Sequence, residues 1–430
     1  MGKHTVIFGA GNVGRGFLGQ LFSESGYEVI FVDIDEPLIA TLNERRSYTI
    51  RLVDNEQAEE VLVSPVRALH AEETEAVAQA LAEASLAATA VGVRALPHIA
   101  PLVAAGIVRR TALSRFQAPG SRLQVNKARK PASSELETFE PATLNPLNII
   151  VCENMKKAAA TFRRMVGEHL PETAVGAGLP TVPRAYLQAH VGFVDTVIAR
   201  MVPPPTPEMR AQDPSLIVVE PYKELPVDRS GFVGPIPEIV GMEPCDRIAL
   251  YTDRKLYLHN CGHAMLAYLG YQRGHKYGYQ ALEDTVIRPL LKAMLAESKA
   301  GIVVAHGVEA QWLEPHIADI IRRLANRALG DTIFRLARDP LRKLGPEDRL
   351  VGAARLAERA GVVPKALSWG IAAGYCFDDS DDPLAMALQQ RIAAEGVDAV
   401  IADVSGIAPD EPLAALVRER YRRIQQGDWP

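Results

Sequence analysis

The feature that most constrains this chain is the run GAGNVG at residues 9–14. It follows an apolar stretch, residues 4–10 (HTVIFGA), that reads as a buried strand, and it opens a helical stretch, residues 12–25. A strand feeding a helix through such a turn suits a dinucleotide. Gly9 permits the tight turn, Gly11 lets the backbone approach a pyrophosphate, and Gly14 lets helix and sheet pack closely. Ala10, Asn12 and Val13 complete the loop whose N–H groups and helix start would face the phosphates. A second strand, residues 27–33 (YEVIFVD), ends on Asp33, nineteen residues beyond Gly14. That context separates the pattern from a merely structural glycine turn. Asp33 is expected to accept the adenosine ribose hydroxyls and to repel a 2′-phosphate. Ile34 and Asp35 bring no compensating cation, so the expected cofactor is NAD.

Strand and helix patterns then alternate. Residues 35–46 have helical spacing, 48–53 and 59–63 read as strands around Asp54-Asn55, and 72–84 as a helix. Residues 86–91 and 147–154 (LNIIVCEN) read as further strands. Alternation of this kind predicts an α/β fold with a Rossmann-type, doubly wound parallel sheet. The pattern changes near residues 186–205, where Pro203-Pro204-Pro205 interrupts it. Helical periodicity follows at 283–299, 309–329, 349–361, 364–377, 383–396 and 411–426. The expectation is two domains, 1–190 for the dinucleotide and 191–430 mainly α-helical.

The 430 residues are 48% hydrophobic and 23% charged, with a formal net charge of −5. This balance points away from nucleic-acid and membrane partners and leaves a small-molecule substrate. No apolar run approaches the ~18 residues that span a bilayer, and no leader pattern precedes the first strand. The four cysteines, Cys152, Cys245, Cys261 and Cys376, form no CxxC pair, which suits a reduced cytoplasm. A monomer or weak homodimer is expected. Residues 109–134 carry seven Lys or Arg and no acid. With only Phe116 among them, a long exposed loop is the preferred reading over an anion contact.

The stretch DRKLYLHNCGH, residues 253–263, concentrates groups that move protons or hold an oxyanion. On a helix Asn260 and His263 share a face, and Lys255 could converge on it. Two other readings use the same residues. Tyr251 and Lys255 have the Y-x-x-x-K spacing of short-chain dehydrogenases, whose glycine pattern and length differ. His259, Cys261 and His263 look like metal ligands, but a helix turns Cys261 away from the two histidines, so no metal is expected.

The stretches IFGAGNVGRGFLG (7–19), TAVG (89–92), PLNIIVCENM (146–155), HVGFVDTVIARMVPP (190–204), RKLYLHNCGHAMLAYLG (254–270) and DPLRKLGPEDRL (339–350) together resemble the polyol-specific long-chain dehydrogenases, most of all the members acting on mannitol 1-phosphate. The resemblance implies a metal-independent, NAD-dependent interconversion of D-mannitol 1-phosphate and D-fructose 6-phosphate. It makes Lys255 the general base, Asn154 and Asn260 the holders of the substrate oxygen, and His263 the residue that orients substrate. Val91, Gly92 and Asn154 join the cofactor-binding set. Where the family has Val-Asp-Arg this chain has Ile198-Ala199-Arg200, Asp253 stands where it has Glu, and residues ~110–144 look inserted. Mannitol 2-dehydrogenase and hexuronate reductase activities remain open, as does an inactive dinucleotide-binding regulator.

Residues 335–349 hold Arg335, Arg338, Arg342, Lys343 and Arg349 against Asp339, Glu347 and Asp348. A surface ion-pair network is one reading. The other, preferred on resemblance, is a phosphate clamp in which Arg342 and Lys343 bind substrate.

Overall fold

A computed structural model describes residues 3–117, 146–171 and 184–430. Among the described residues the first unit is built on eleven strands: β1 (His4–Phe8), β2 (Glu28–Asp33), β3 (Tyr48–Val53), β4 (Ala58–Val63), β5 (Val66–His70), β6 (Leu86–Thr89), β7 (Leu147–Val151), β8 (Val191–Asp195), β9 (Ile217–Val219), β10 (Leu225–Asp228) and β11 (Met242–Cys245). Six form one parallel sheet in the order β5-β2-β1-β6-β7-β8, with Thr5 opposite Val29 on one side and Leu86 on the other. Side chains alternate across a strand. Val6 and Phe8 therefore enter one apolar core and Ile7 the other, and a strand covered on both faces has to be apolar throughout.

The expected division near residues 186–205 is corrected. β8 pairs in parallel with β7 from Leu147↔Val191 onward, and β9 pairs with β3, so the chain keeps adding strands past the proline run. The first unit ends at Ile248. The prolines interrupt local regularity without ending the domain.

Residues 53–58 and 249–430 form the second unit. The β3–β4 turn counts with it because Asn326 Nδ2 donates to Val53 O at 2.9 Å and Arg327 N to Asn55 Oδ1 at 2.7 Å. Its centre is the helix Cys261–Gln272, nearly all apolar and buried along almost its whole length. Around it pack Gly278–Glu283, Ile287–His306, Ile333–Ala337 and Lys365–Tyr375, and Val351–Arg359 lies against Ile287–His306. The helix expected over 309–329 ends at Leu324, because Asn326 caps a separate short turn, Arg327–Leu329. Among the described residues no helix is long and apolar enough to cross a membrane.

The basic stretch expected as a loop falls largely within 118–145, outside the described residues. Its first two arginines lie in the helix Leu96–Gln117. Arg109 pairs with Glu75 at 2.7 Å, and Arg110 donates to the carbonyls of Ala82 and Ala84 at 2.6 Å. Both are spent on packing that helix.

Candidate functional site

In the first unit Gly9 turns the chain after β1 at φ +97°. A Cβ there would meet Ala90 O at 2.5 Å, and a Cβ on Gly14 would meet Gly9 O at 1.9 Å. Both outer glycines are therefore sterically required. Gly11 differs, since a Cβ on it would meet nothing within 4 Å. The middle of the loop is an open cradle at a helix start, which fits a pyrophosphate. Asn12 Nδ2 donates to Val202 O at 3.3 Å, fixing the loop's flank. Asp33 Oδ2 accepts the Ala10 N–H at 2.5 Å, and Oδ1 accepts those of Ile34 and Asp35.

Val91 and Gly92 follow β6. Gly92 lies at φ +86° with open space where a Cβ would stand, and Val91 N donates to Glu153 Oε1 at 3.0 Å. Asn154 occupies the turn after β7, beside Glu153. Glu153, which the structure buries, was not singled out from the sequence; an acid directly after an apolar strand and beside an expected amide is the signal that could have found it.

Arg15 was also missed. A cation just after a phosphate loop invites reading as a phosphate ligand, but its Nε donates to Ala10 O at 2.6 Å and its Nη1 to Ser215 O at 2.5 Å. Ala10 is thus held at its N–H by Asp33 and at its carbonyl by Arg15.

In the second unit the helix Ile248–Arg254 runs into a segment of wide π winding, Lys255–Asn260, before the α-helix Cys261–Gln272. Backbone bonds there step five residues, as in Cys261 N to Leu256 O. Residues five apart, Lys255 and Asn260, fall one above the other, whereas α winding would turn them to different sides. His263 lies three residues past Asn260 on the following helix, within the same patch.

Burial pushes the Lys255 ammonium down to about 8, and the guanidinium groups of Arg349 and Arg342 add to this while Asp348 opposes it. Burial also drives His263 down to about 3, with Arg335, Arg323 and Arg349 adding. His263 is a neutral ring offering one donor and one acceptor. Its ring lies 4.7 Å from that of buried His259, edge to face. Asp253 bonds His306 Nε2 at 2.8 Å.

The proposed phosphate clamp divides. Arg342 is exposed, with Nε on Asp339 at 2.6 Å and Nη1 on Asp348 at 3.4 Å, and Asp348 also holds Arg349 Nε at 2.7 Å. Lys343 is withdrawn from the clamp. Its side chain is buried, its Nζ donates to Leu336 O at 2.6 Å, and burial lowers it to about 6, so it carries little charge at neutrality. The sequence showed two adjacent cations; the turn of the chain sends one to solvent and the other inward.

Among the described residues no group of three His, Cys, Asp or Glu is placed to hold a metal. Cys261 belongs to the apolar core. Tyr251 packs against Trp312, with the Arg254 guanidinium over both rings.

The mannitol dehydrogenase Rossmann domain model matches residues 3–117 and 124–241, and the mannitol dehydrogenase C-terminal domain model matches 247–425. The mannitol-1-phosphate 5-dehydrogenase of Geobacillus thermodenitrificans is 37% identical over 427 residues, covering 98% of this chain and 99% of that protein. The Bacillus subtilis protein of the same name is 36% identical over 420 residues, covering 97% and 100%. Pseudomonas fluorescens mannitol 2-dehydrogenase, solved with NAD and D-mannitol, shares the fold at a TM-score of 0.69 and 16% identity, over 99% of this chain and 92% of that one. A D-sorbitol dehydrogenase does so at 0.74 and 15%, over 99% and 93%. With both family models matched in order along nearly the whole chain, this protein belongs to the mannitol dehydrogenase family of oxidoreductases.

Proposed function

We propose that the chain interconverts D-mannitol 1-phosphate and D-fructose 6-phosphate with NAD, using Lys255 as general base and no metal. The observation that carries this reading is the partly buried Lys255, lowered to about 8 and stacked one wide turn above Asn260. An amine poised near neutrality can take a proton from a hydroxyl in one direction and return it in the other. NAD supplies the acceptor for the hydride when bound, and the loop Gly9–Gly14, Asp33, Val91 and Gly92 would hold it. The Asn260 amide offers a donor to the substrate oxygen as it gains charge, and Asn154 has the same role by resemblance. Neutral His263 orients the substrate by hydrogen bonding and does not compete for the proton. Arg342 presents a guanidinium to the phosphate. The relatives' names support the phosphorylated substrate.

The withdrawal of Lys343 leaves one exposed cation where two were expected, and this favours keeping free polyol as a second reading. A panel of mannitol 1-phosphate, sorbitol 6-phosphate, mannitol and uronates, each assayed with NAD, decides between them. Preference for mannitol 1-phosphate is expected; preference for free mannitol moves the assignment to a mannitol 2-dehydrogenase.

A further inference from the structure

The helix after the glycine loop is not wound uniformly. Gly14–Gly19 is a π segment, and α winding resumes at Gln20–Glu24. A π segment carries one residue more per turn than its neighbours and loosens the bonds of the carbonyls within it. Two of those carbonyls have donors from outside the helix. Tyr48 Oη donates to Arg15 O at 2.7 Å, and Arg200 Nη1 to Gly16 O at 2.9 Å.

Arg200 does more than fill one carbonyl. It is buried, its Nη1 also donates to Gln20 Oε1 at 2.7 Å, and its Nε donates to Glu220 O at 2.7 Å. Its guanidinium carbon stands 5.6 Å from the Phe17 ring centre. One side chain therefore ties the π segment, the α-helix after it and the strand-end residue Glu220 together. The Glu220 carboxylate in turn accepts Met201 N at 2.5 Å, and the next residue, Val202, takes the Asn12 amide. Close packing leaves no slack, since a Cβ on Gly16 would meet Val202 Cγ1 at 2.8 Å and Val219 Cγ1 at 3.0 Å.

We propose that Arg200 and Tyr48 are positioning residues for the dinucleotide: by holding the carbonyls of Gly16 and Arg15 they keep the extra residue in the helix and so aim its first turn, Gly11 to Val13, at the pyrophosphate. Each residue of an α-helix turns the chain by about 100°. Relaxing the π segment to α winding would rotate the loop N–H groups by that amount relative to the sheet-packed Gln20–Glu24. Neither side chain touches the nucleotide in this account. The inference rests on the NAD reading above.

The test titrates NADH into the full-length protein by fluorescence and measures KM for NAD and kcat, for the unmodified chain, Arg200→Met, Tyr48→Phe and Thr5→Val. Thr5 donates to Leu86 O at 3.0 Å in the same sheet, so its variant loses a buried hydrogen bond away from the helix. Arg200→Met is expected to weaken NADH binding and raise KM for NAD about tenfold or more, with kcat at saturating NAD within about twofold. Tyr48→Phe, which removes one hydroxyl and keeps the ring, is expected to weaken NADH binding about three- to tenfold. Thr5→Val should lower the unfolding midpoint and leave NADH affinity alone. Unchanged NADH affinity in Tyr48→Phe, or an equal loss in Thr5→Val, overturns the positioning role even if Arg200→Met does not fold. Failure of the unmodified chain to bind NADH overturns the nucleotide reading itself, and this inference with it.

Discussion

Asp33 Oδ2 receives the Ala10 N–H at 2.5 Å, so the carboxylate expected to read the ribose also clasps the phosphate loop. Its other oxygen takes Ile34 N at 2.7 Å and Asp35 N at 3.1 Å. A carboxylate has about four acceptor positions, and three are occupied by this chain's own backbone. Asp33→Ser should therefore have two effects. The preference for NAD over NADP in kcat/KM should narrow, and KM for NAD should rise as the loop loosens. Equal use of NADP and NAD by the unmodified protein would show that the end of β2 does not select the cofactor.

The base predicts a pH profile. With Lys255 at about 8, polyol oxidation requires its neutral form, so kcat/KM should climb as pH rises through about 8. Ketone reduction requires the protonated form and should decline over the same interval. Lys255→Ala should lose about 10²–10⁴ in kcat while NADH still binds. Near-normal turnover in that variant removes Lys255 from the mechanism.

The adjacent cations Arg342 and Lys343 should behave oppositely. Arg342→Ala should raise KM for fructose 6-phosphate at least ~10-fold, leaving NADH affinity and any fructose reduction nearly unchanged. Equal losses on fructose and its phosphate would make Arg342 structural. Lys343→Met should leave KM for fructose 6-phosphate within about twofold.

Lys343 should instead appear in the pH dependence of stability. Its folded value is about 6 against 10.5 when exposed. Between those values the unfolded chain binds a proton that the folded chain does not, so this group makes folding more favourable as pH rises through the window. Lys343→Met removes that slope. Its stability relative to the unmodified protein, from denaturant unfolding at pH 7 and pH 9.5, should fall as pH rises. A constant difference would mean that Lys343 stays charged in the fold.

Metal removal gives a further check. If Lys255 does the proton work, exhaustive chelation should leave full activity. Stoichiometric zinc whose loss abolished turnover would restore the reading of His259 and His263 as ligands.

The loop and its flanking strands were legible because the glycine spacing and the apolar runs beside it are local: Gly14 is demanded by Gly9 O, five residues away, although the carbonyl that demands Gly9, that of Ala90, lies far along the chain. The domain boundary was not legible, because β8 looks like any short apolar run and only its pairing with β7 assigns it to the sheet. Lys343 was misread for a related reason. The charges at 342 and 343 are equal on paper, and burial against Leu336 separates them. Arg200 stood inside a quoted motif yet showed no function until its three partners were visible. Two of those contacts, to Gly16 and Gln20, span 184 and 180 residues of sequence and leave no spacing to read.

The winding at Lys255–Asn260 makes the chemistry depend on one residue of slack. The helix Cys261–Gln272 is buried along almost its whole length, so its seat in the core is fixed and the residues before it must reach the site from there. Lys255 and Asn260 are five apart, and wide winding is what brings residues at that spacing to one face. Were the same residues drawn into α winding, the buried helix would keep its place while everything before the segment, Lys255 included, swung by about 100° about the axis. The core would survive that change and the pairing of amine and amide would not.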